Sequence, residues 1–283
     1  MSNHAAQESA ARFHRLLPSD ELTGRVSDGF YTTFSTLSGG TRVLGLSSHL
    51  ERLYAPAADL GLHPFVDEET LRRRIAELAR ENLPRESHLR LILTKDTGDI
   101  YIGIQPFTPL PESVYRNGVR VFTAAMKRRD PRIKNTDFIA RSAEQRKQVR
   151  GDVFEILLTK NGRIFEGMTS NFYAVKVPRD SSRAHVKSPS VLITARYGIL
   201  LGVTRRVVLR LARGEGMSIA YRAPRLDEKF DEAFLTSSSR GIVPIVAIDG
   251  KSVGQGKPGA WTKTLSLAYQ AYVEERSEKI VHP

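Results

Sequence analysis

The chain of 283 residues contains no cysteine, which excludes a disulfide framework, a thiolate metal site and a cysteine nucleophile. Long hydrophobic runs are also missing. The longest candidate, Ile242 to Ile248, contains a proline and is too short to span a bilayer. Residues 1–17 show no continuous apolar segment of the kind found in a signal peptide. We therefore expect a cytoplasmic protein with no membrane partner.

Motifs of several common enzyme classes are absent as well. The sequence has no GxxxxGK(S/T) for a P-loop and no GxGxxG for a dinucleotide-binding fold. It also lacks the GxSxG of serine hydrolases and the HExxH or paired His clusters of metal sites. We therefore predict no metal centre.

The chain is strongly basic, with 43 Lys and Arg against 31 Asp and Glu and a formal net charge of +12. Arg72 to Arg74 stand among glutamates, and the dense basic run lies at 127–132. Basic residues without interleaved aromatics or a known module are weak evidence for nucleic acid, so we expect no such partner. We favour a solvated face, with attraction of an anionic small molecule as the alternative.

The pattern of strands and helices predicts the α+β class with two domains. The polar, proline-containing segment 126–136 is the predicted boundary between a small domain at 1–125 and a larger one at 137–283. Residues 1–20 are predicted to form a loose leader, and residues 178–190 a polar surface loop.

The predicted elements rest on hydrophobic period and on turn residues. Strands are predicted at 28–37, 41–46, 88–94, 100–105, 119–125, 153–159, 163–166, 171–177, 218–222, 233–237 and 243–248. Helices are predicted at 49–62, 67–81, 137–150, 204–214 and 258–279. Ser47 or Ser48 would cap the first helix and Asp67 the second, while Asn161-Gly162 would form a tight hairpin turn.

Lys134, within the boundary segment, is the first candidate for chemistry. A lone lysine is usually solvated. A lysine with a lowered pKa can instead attack a carbonyl as a neutral amine and form a Schiff base. The neighbouring cations Arg128, Arg129 and Arg132 would favour the neutral amine. Spacing alone leaves both interpretations open.

Glu166 ends a predicted strand and is followed by glycine. One interpretation is an exposed carboxylate before a turn. The other is an anion that holds the proton on a ring nitrogen, which would make the ring an electron sink.

Three features could hold a phosphate. Gly202, Val203 and Thr204 stand at a helix start, where unpaired amides favour an anion, although Thr204 could equally be a plain N-cap. The run 236–240 places four hydroxyls and an arginine at a strand end, but could be merely a turn. Arg52 shares a helix face with His49 and could be an inward anchor or a snorkelling surface residue. We expect His49 to face the core and do not assign it as a base.

In order along the chain, these features resemble one family, the fold-type IV pyridoxal phosphate enzymes or class IV aminotransferases. That family includes branched-chain aminotransferases, D-amino acid aminotransferases and aminodeoxychorismate lyases. The resemblance extends from about Asp28 to Gly259. It is carried by Asp28-Gly29-Phe30-Tyr31, His49-Leu50-Glu51-Arg52-Leu53, Lys134, Glu166-Gly167 with Ser170-Asn171-Phe172, Gly202-Val203-Thr204-Arg205, and Asp231 to Ser238 with Pro244.

The resemblance implies a small α/β domain followed by a larger domain with a pseudo-barrel. It implies that Lys134 forms the internal aldimine with pyridoxal 5′-phosphate and then shuttles the proton, while Glu166 pairs with the pyridine nitrogen. It further implies a homodimer or a larger assembly, in which the partner subunit supplies part of the substrate pocket. The residues implied to bind the phosphate are Arg52, Val203, Thr204, Ser237 and Ser238, and those on the substrate side are Tyr31 and Thr33.

The chain departs from the family pattern at two places. Some members carry a tyrosine four residues after the lysine, where this chain has Phe138. The Arg and His that follow the small-domain strand in D-amino acid aminotransferases are absent after Thr94. If Leu89 and Leu91 pack the core, Arg90 points inward on that strand and is our candidate for binding the substrate carboxylate, with an exposed strand residue as the alternative.

The resemblance predicts amino transfer between an amino acid, branched-chain or D, and a 2-oxo acid. Because the cofactor residues are shared within the family, an aminodeoxychorismate lyase remains the alternative.

Overall fold

The computed structural model describes residues 14–17, 19–178 and 189–281. Most of the predicted leader at 1–20 and of the predicted loop at 178–190 lies outside these residues. The strands are β1 His14–Leu17, β2 Gly29–Ser35, β3 Arg42–Val43, β4 Ser87–Thr94, β5 Ile100–Pro106, β6 Val119–Ala125, β7 Val153–Lys160, β8 Arg163–Gly167, β9 Asn171–Lys176, β10 Val191–Thr194, β11 Ser218–Tyr221, β12 Glu232–Ser237, β13 Gly241–Ile248, β14 Lys251–Ser252 and β15 Glu278–Lys279. The helices are α1 Ser19–Leu22, α2 Leu46–Asp59, α3 Glu68–Arg80, α4 Glu112–Asn117, α5 Asp137–Arg141, α6 Ala143–Lys147, α7 Val203–Gly214 and α8 Ala260–Arg276. Among the helices in these ranges, none is long and apolar enough to cross a membrane.

The chain forms two compact units. The first contains the described residues of Met1–Pro109, Ile133–Arg141 and Glu275–Pro283, and the second contains those of Leu110–Arg132 and Ser142–Glu274. Strand β6 belongs to the second unit because its neighbours are β7 and β13. The segment with Lys134 belongs to the first unit because its backbone pairs with β2. The division into domains at 1–125 and 137–283 stays a prediction.

The first unit is built on a four-stranded sheet in the order β1-β5-β4-β2. Strands β2, β4 and β5 are antiparallel, and β1 joins β5 in parallel. Alternate residues point to opposite faces, so Phe30 and Phe34 join the core with the apolar side of α2 and α3, while Tyr31 belongs to a separate cluster. The second face therefore remains available for polar chemistry at Thr33.

The start of α2 differs from the sequence prediction. Ser38, Gly39 and Gly40 turn the chain with positive φ angles, but β3 ends at Val43 and pairs with β15. Only the isolated bridge between Leu37 and Arg42 remains of the predicted hairpin with a strand at 41–46.

That predicted strand is wrong beyond residue 43 because Gly45 adopts the left-handed conformation and α2 begins at Leu46. Neither Ser47 nor Ser48 caps the helix. The predicted cap of α3 is confirmed, because the Asp67 carboxylate accepts a hydrogen bond of 2.7 Å from the Thr70 amide.

The second unit contains a closed barrel of six strands. Their order is β9-β12-β13-β6-β7-β8, and the pairing of Glu166 in β8 with Asn171 in β9 completes the ring. Its core includes Val121, Leu157 and Leu235. Strands β10 and β11 continue the sheet beyond β9.

Several predicted elements of this part of the chain are confirmed and others are wrong. Asn161 and Gly162, with φ of 51° and 68°, form the predicted turn between β7 and β8. The predicted helix at 137–150 is instead two short helices, α5 and α6, because Ser142 leaves the helical conformation at its φ of −94° and ψ of 9°. Strand β10 and helix α4 were not predicted.

Candidate active site

The backbone of Lys134 is fixed against the first strand of the small sheet. The Tyr31 amide donates to the Lys134 carbonyl at 2.8 Å, and the Thr136 amide donates to the Gly29 carbonyl at 3.0 Å. The Gly29 amide donates in turn to Thr136 Oγ1 at 2.9 Å. A Cβ atom at Gly29 would lie 2.3 Å from the Leu93 carbonyl oxygen, so only glycine permits this approach.

The side chain of Lys134 lies on the polar face of that sheet. Its Nζ donates to Thr33 Oγ1 at 2.9 Å and lies 4.7 Å from the centre of the Tyr31 ring. The structure therefore brings together Lys134, Thr33 and Tyr31, which the sequence had placed in one site. Lys134 is half-buried, which favours a site residue over a fully solvated lysine.

Arg90 stands directly opposite Thr33 in the pairing of β2 with β4. Leu89 and Leu91 are fully buried in the core on the other face, which leaves Arg90 on the face of Lys134. Its Nη1 donates to Thr23 Oγ1 at 3.0 Å, and the residue is half-buried rather than exposed.

The two predicted residues of α2 differ in their surroundings. His49 is fully buried, and its Nδ1 forms a hydrogen bond of 2.8 Å with Thr32 Oγ1. Burial, together with the charges of Arg52 and Lys134, holds the pKa of His49 well below its ordinary value. His49 is thus a core residue, while Arg52 is half-buried one turn further along the same helix.

Glu166 lies where the barrel closes, with a side chain that is only 2% exposed. One carboxylate oxygen accepts from Arg128 Nε at 2.8 Å, and the other accepts from the Leu200 amide at 3.0 Å. Burial raises the pKa of Glu166 to about 6, with the Arg128 guanidinium acting in the opposite direction. The interpretation of Glu166 as an exposed carboxylate is wrong.

Arg128 is the residue that sequence reasoning missed beside Glu166. We had favoured a solvated face for the basic run at 127–132, but Arg128 is buried and also donates to the Met168 carbonyl at 2.9 Å. No spacing rule relates residue 128 to residue 166, so only the fold reveals the pair.

The first turn of α7, in the second unit, carries the candidate phosphate residues Val203 and Thr204. Gly202 is the N-cap and brings no side-chain cap, so Thr204 is the second helical residue rather than the cap. Thr204 is 2% exposed, and its Oγ1 makes no well-formed hydrogen bond within the described residues, although the Tyr269 hydroxyl interacts with it. A Cβ at Gly202 would lie 2.3 Å from Asn171 Oδ1, so the loop approaches β9 closely. Asn171 Nδ2 also donates to the Leu200 carbonyl at 2.7 Å.

Ser237 and Ser238 lie at the turn between β12 and β13, and both are half-buried. Ser237 Oγ accepts from Arg240 Nε at 3.1 Å. The run 236–240 therefore forms the end of β12 and the following turn, and Arg240 holds the Ser237 hydroxyl.

Arg205 is a further buried residue, which belongs to the family motif quoted from the sequence but was given no role there. Its guanidinium donates to Thr194 Oγ1 at 2.9 Å and to the Ala195 carbonyl at 2.7 Å, which ties the start of α7 to the end of β10.

The candidate residues as a whole divide between the units. Tyr31, Thr33, Arg52, Arg90 and Lys134 lie in the first, and Glu166, Val203, Thr204, Ser237 and Ser238 lie in the second.

The chain matches the family model described as "Amino-transferase class IV" over residues 29–248. It is 29% identical to the D-alanine aminotransferase of Bacillus licheniformis, with 90% of each chain covered. It is 28% identical to the "Putative branched-chain-amino-acid aminotransferase" of Methanocaldococcus jannaschii, with 81% of this chain and 82% of the relative covered.

Solved structures share the fold. A putative branched-chain amino acid aminotransferase from Thermotoga maritima superposes with a TM-score of 0.72 at 24% identity, covering 87% of this chain and 86% of that one. The PLP-bound form of a hypothetical aminotransferase from Mycobacterium tuberculosis superposes with a TM-score of 0.71 at 21% identity, covering 93% of this chain and 95% of that one.

The chain belongs to the class IV aminotransferase family. It has the fold-type IV architecture and is a transaminase whose cofactor is pyridoxal 5′-phosphate. The residues present fit this cofactor. Among the residues that the structure describes, the buried Thr204 hydroxyl has no well-formed hydrogen bond, and each Glu166 oxygen retains a lone pair beyond its present hydrogen bond.

Glu166→Gln tests the cost of burying this carboxylate. Because the pKa of Glu166 is raised to about 6, the folded protein holds the proton more tightly than the unfolded chain, and the associated stability is lost as pH rises through this range. With the cofactor removed, the free energy of unfolding of the wild type should fall relative to the variant by about 2 kcal/mol from about pH 4 to about pH 8. Urea denaturation at each pH measures the difference. If the difference in the free energy of unfolding between the wild type and Glu166→Gln does not change with pH, the raised pKa of Glu166 would be contradicted.

Proposed function

We propose that this transaminase exchanges an amino group between a D- or branched-chain amino acid and a 2-oxo acid, with Lys134 as its catalytic residue. The observation that carries the proposal is the Lys134 amine, held 2.9 Å from Thr33 Oγ1 and over the Tyr31 ring, in a chain of the class IV family. The substrate classes are suggested by relatives named D-alanine and branched-chain aminotransferases.

The cofactor, when bound, supplies an aldehyde carbon that accepts amines and a ring that accepts the electrons released at the substrate Cα. We propose that the Lys134 amine would hold the cofactor when it is bound and, once displaced by the substrate amine, would move the proton at the substrate Cα. The amine must be neutral to accept a proton, and the Thr33 hydroxyl can either accept from Nζ or donate to it. Thr33 therefore keeps the amine in place in both of its protonation states.

Glu166 is proposed to hold the proton on the cofactor's ring nitrogen. Its buried carboxylate offers a negative charge at a fixed position, because Arg128 and the Leu200 amide prevent the side chain from rotating. The phosphate is proposed to bind at the start of α7, where the first-turn amides of Val203 and Thr204 and the Thr204 hydroxyl offer hydrogen-bond donors to an anion. Arg52, Ser237 and Ser238 complete the proposed phosphate set.

Lys134→Ala should abolish amino transfer while the fold is kept, because the variant has no amine to hold the cofactor or to move the proton. We expect kcat to fall by roughly 10²- to 10⁴-fold or more. The measurement follows the half-reaction by absorbance with a panel of D- and L-amino acids, and the exposed Lys127→Ala serves as the matched control.

Near-normal turnover by Lys134→Ala would remove Lys134 from its proposed role. A wild-type protein that keeps its cofactor colour with every amino acid, yet forms pyruvate and 4-aminobenzoate from aminodeoxychorismate, would replace amino transfer by the lyase reaction.

Arg90 is proposed to bind the α-carboxylate of the substrate. Support comes from its place on the sheet face of Lys134, opposite Thr33, where a guanidinium can bind a carboxylate through two hydrogen bonds.

Arg90→Gln should raise KM for the amino donor by roughly tenfold or more, because a hydrogen bond between charged groups is lost. The effect on kcat should be smaller, since Lys134 keeps its contacts. Steady-state kinetics measures both constants, with the exposed Arg120→Gln as the control. An unchanged KM would assign the carboxylate to another residue.

We also propose a homodimer. The family resemblance implies this assembly, and Leu60 and Phe65 in the first unit, 62% and 60% exposed, offer apolar surface for a contact. Light scattering should therefore give a mass near twice the 31.6 kDa of one chain. A mass equal to that of one chain at working concentration would contradict the proposal.

The cytoplasmic location stays a prediction.

A further inference from the structure

Arg240 makes more contacts than a turn residue requires. It ends the turn between β12 and β13, and its side chain folds back along the hairpin, where Nε donates to Ser237 Oγ at 3.1 Å. Its Nη2 donates to Glu155 Oε2 at 3.0 Å and also to Thr169 Oγ1. The guanidinium lies over the Phe154 ring, with 5.2 Å from Cζ to the ring centre.

The far end of this contact is a rigid anchor inside the barrel. The Glu155 side chain is 4% exposed, and its Oε1 accepts from the Thr169 amide at 2.6 Å and from the Thr169 hydroxyl at 2.9 Å. Thr169 thus donates to Glu155 and accepts from Arg240, which closes a ring of three side chains. The Arg240 carbonyl is held as well, because the Tyr115 hydroxyl donates to it at 2.9 Å.

The hydrogen bond from Arg240 determines whether the Ser237 hydroxyl acts as a donor or as an acceptor toward a further group. A serine hydroxyl has one hydrogen to donate and two lone pairs that accept. Because Arg240 Nε donates to Ser237 Oγ, one lone pair is occupied and the hydroxyl hydrogen stays available for another acceptor. Glu155 offsets the charge of Arg240, so the effect of Arg240 on Ser237 is mainly one of direction.

We propose that Arg240 is a positioning residue that orients the Ser237 hydroxyl as a donor to the cofactor phosphate, with Glu155 and Thr169 as its anchor. The proposal rests on the proposed function, because the role of Ser237 in binding phosphate is part of it. A guanidinium is suited to this task, since its planar fork reaches Ser237 and Glu155 at the same time.

The test compares the cofactor with its analogue that lacks the phosphate. The cofactor is first removed from the holoenzyme. Dissociation constants for pyridoxal 5′-phosphate and for pyridoxal are then measured by absorbance in the wild type and in Arg240→Gln. Arg240→Gln should weaken pyridoxal 5′-phosphate roughly tenfold, as expected for one charge-assisted contact, and leave pyridoxal within about twofold. Equal weakening of both ligands, or of neither, would overturn the proposal.

The Arg240→Lys variant distinguishes the orientation of the Ser237 hydroxyl by Arg240 from the effect of the positive charge of Arg240. A lysine keeps the positive charge opposite Glu155 but cannot donate to Ser237 and Glu155 from one rigid plane. The Lys variant should therefore lose affinity for the phosphate ligand nearly as Arg240→Gln does. Full affinity in Arg240→Lys would mean that charge alone suffices, and the orienting role would be wrong.

Ser237→Ala completes a double-mutant cycle. If Arg240 acts through the Ser237 hydroxyl, Arg240→Gln in the Ser237→Ala background should change the affinity for pyridoxal 5′-phosphate by less than about twofold. If the fold-losses in affinity of the two single variants multiply in the double variant, the two residues act independently and the proposed link between Arg240 and Ser237 would be refuted. Ser237→Ala and Arg240→Lys also carry the test if Arg240→Gln does not fold, which circular dichroism reports.

Arg222→Gln is the matched control, because Arg222 also donates to a carboxylate of the second unit, at 2.7 Å to Glu228. It should leave both dissociation constants unchanged. A wild type that binds pyridoxal as tightly as its phosphate would refute phosphate binding itself. If the wild type binds pyridoxal 5′-phosphate more tightly than pyridoxal, and Arg240→Gln shows the same ratio of dissociation constants, only the role of Arg240 would be refuted.

Discussion

The buried ion pair of Glu166 and Arg128 is the constraint on which the candidate site residues of the second unit depend. A carboxylate taken out of water is costly unless a charge and hydrogen bonds replace its hydration. Arg128 and the Leu200 amide supply both. Because the pairing of Glu166 with Asn171 also closes the barrel, the position of the charge is set by the sheet. Asn171 then holds the Leu200 carbonyl, two residues before the cap of α7. One loop therefore connects the carboxylate with the helix start that favours an anion.

The lysine of the first unit is positioned by a different device. Its side chain is long and flexible, and ordering it costs conformational entropy. The backbone bonds between the segment of Lys134 and β2 reduce that cost, because Lys134 and Thr33 are then held on one rigid sheet. The close approach at Gly29 is the sequence requirement for this arrangement. A flexible amine thus becomes a fixed one through main-chain geometry.

The sequence revealed the residues with local signals and missed those defined by tertiary contacts. Asp67 and the turn at Asn161-Gly162 could be predicted because a cap and a tight turn depend on neighbours a few residues away. The strand at 41–46 failed because Gly45, in the left-handed conformation, starts a helix there. Lys134 and Glu166 were found through an ordered family pattern. Arg128, in contrast, pairs with a residue 38 positions further along the chain, and only the barrel brings the two together.

The net charge of +12 also has a different meaning once the contacts are known. Arg128 neutralises a buried carboxylate, and Arg240 is fixed by Glu155. Arg205 is 3% exposed, yet its hydrogen bonds go to a hydroxyl and a carbonyl, both neutral, so these contacts leave its charge uncancelled. It stands on the first turn of α7, where the helix dipole is also positive. Arg128, Arg205 and Arg240 thus hold the barrel, the start of α7 and the β12–β13 turn together, so part of this basic composition serves contacts inside the protein rather than a solvated face.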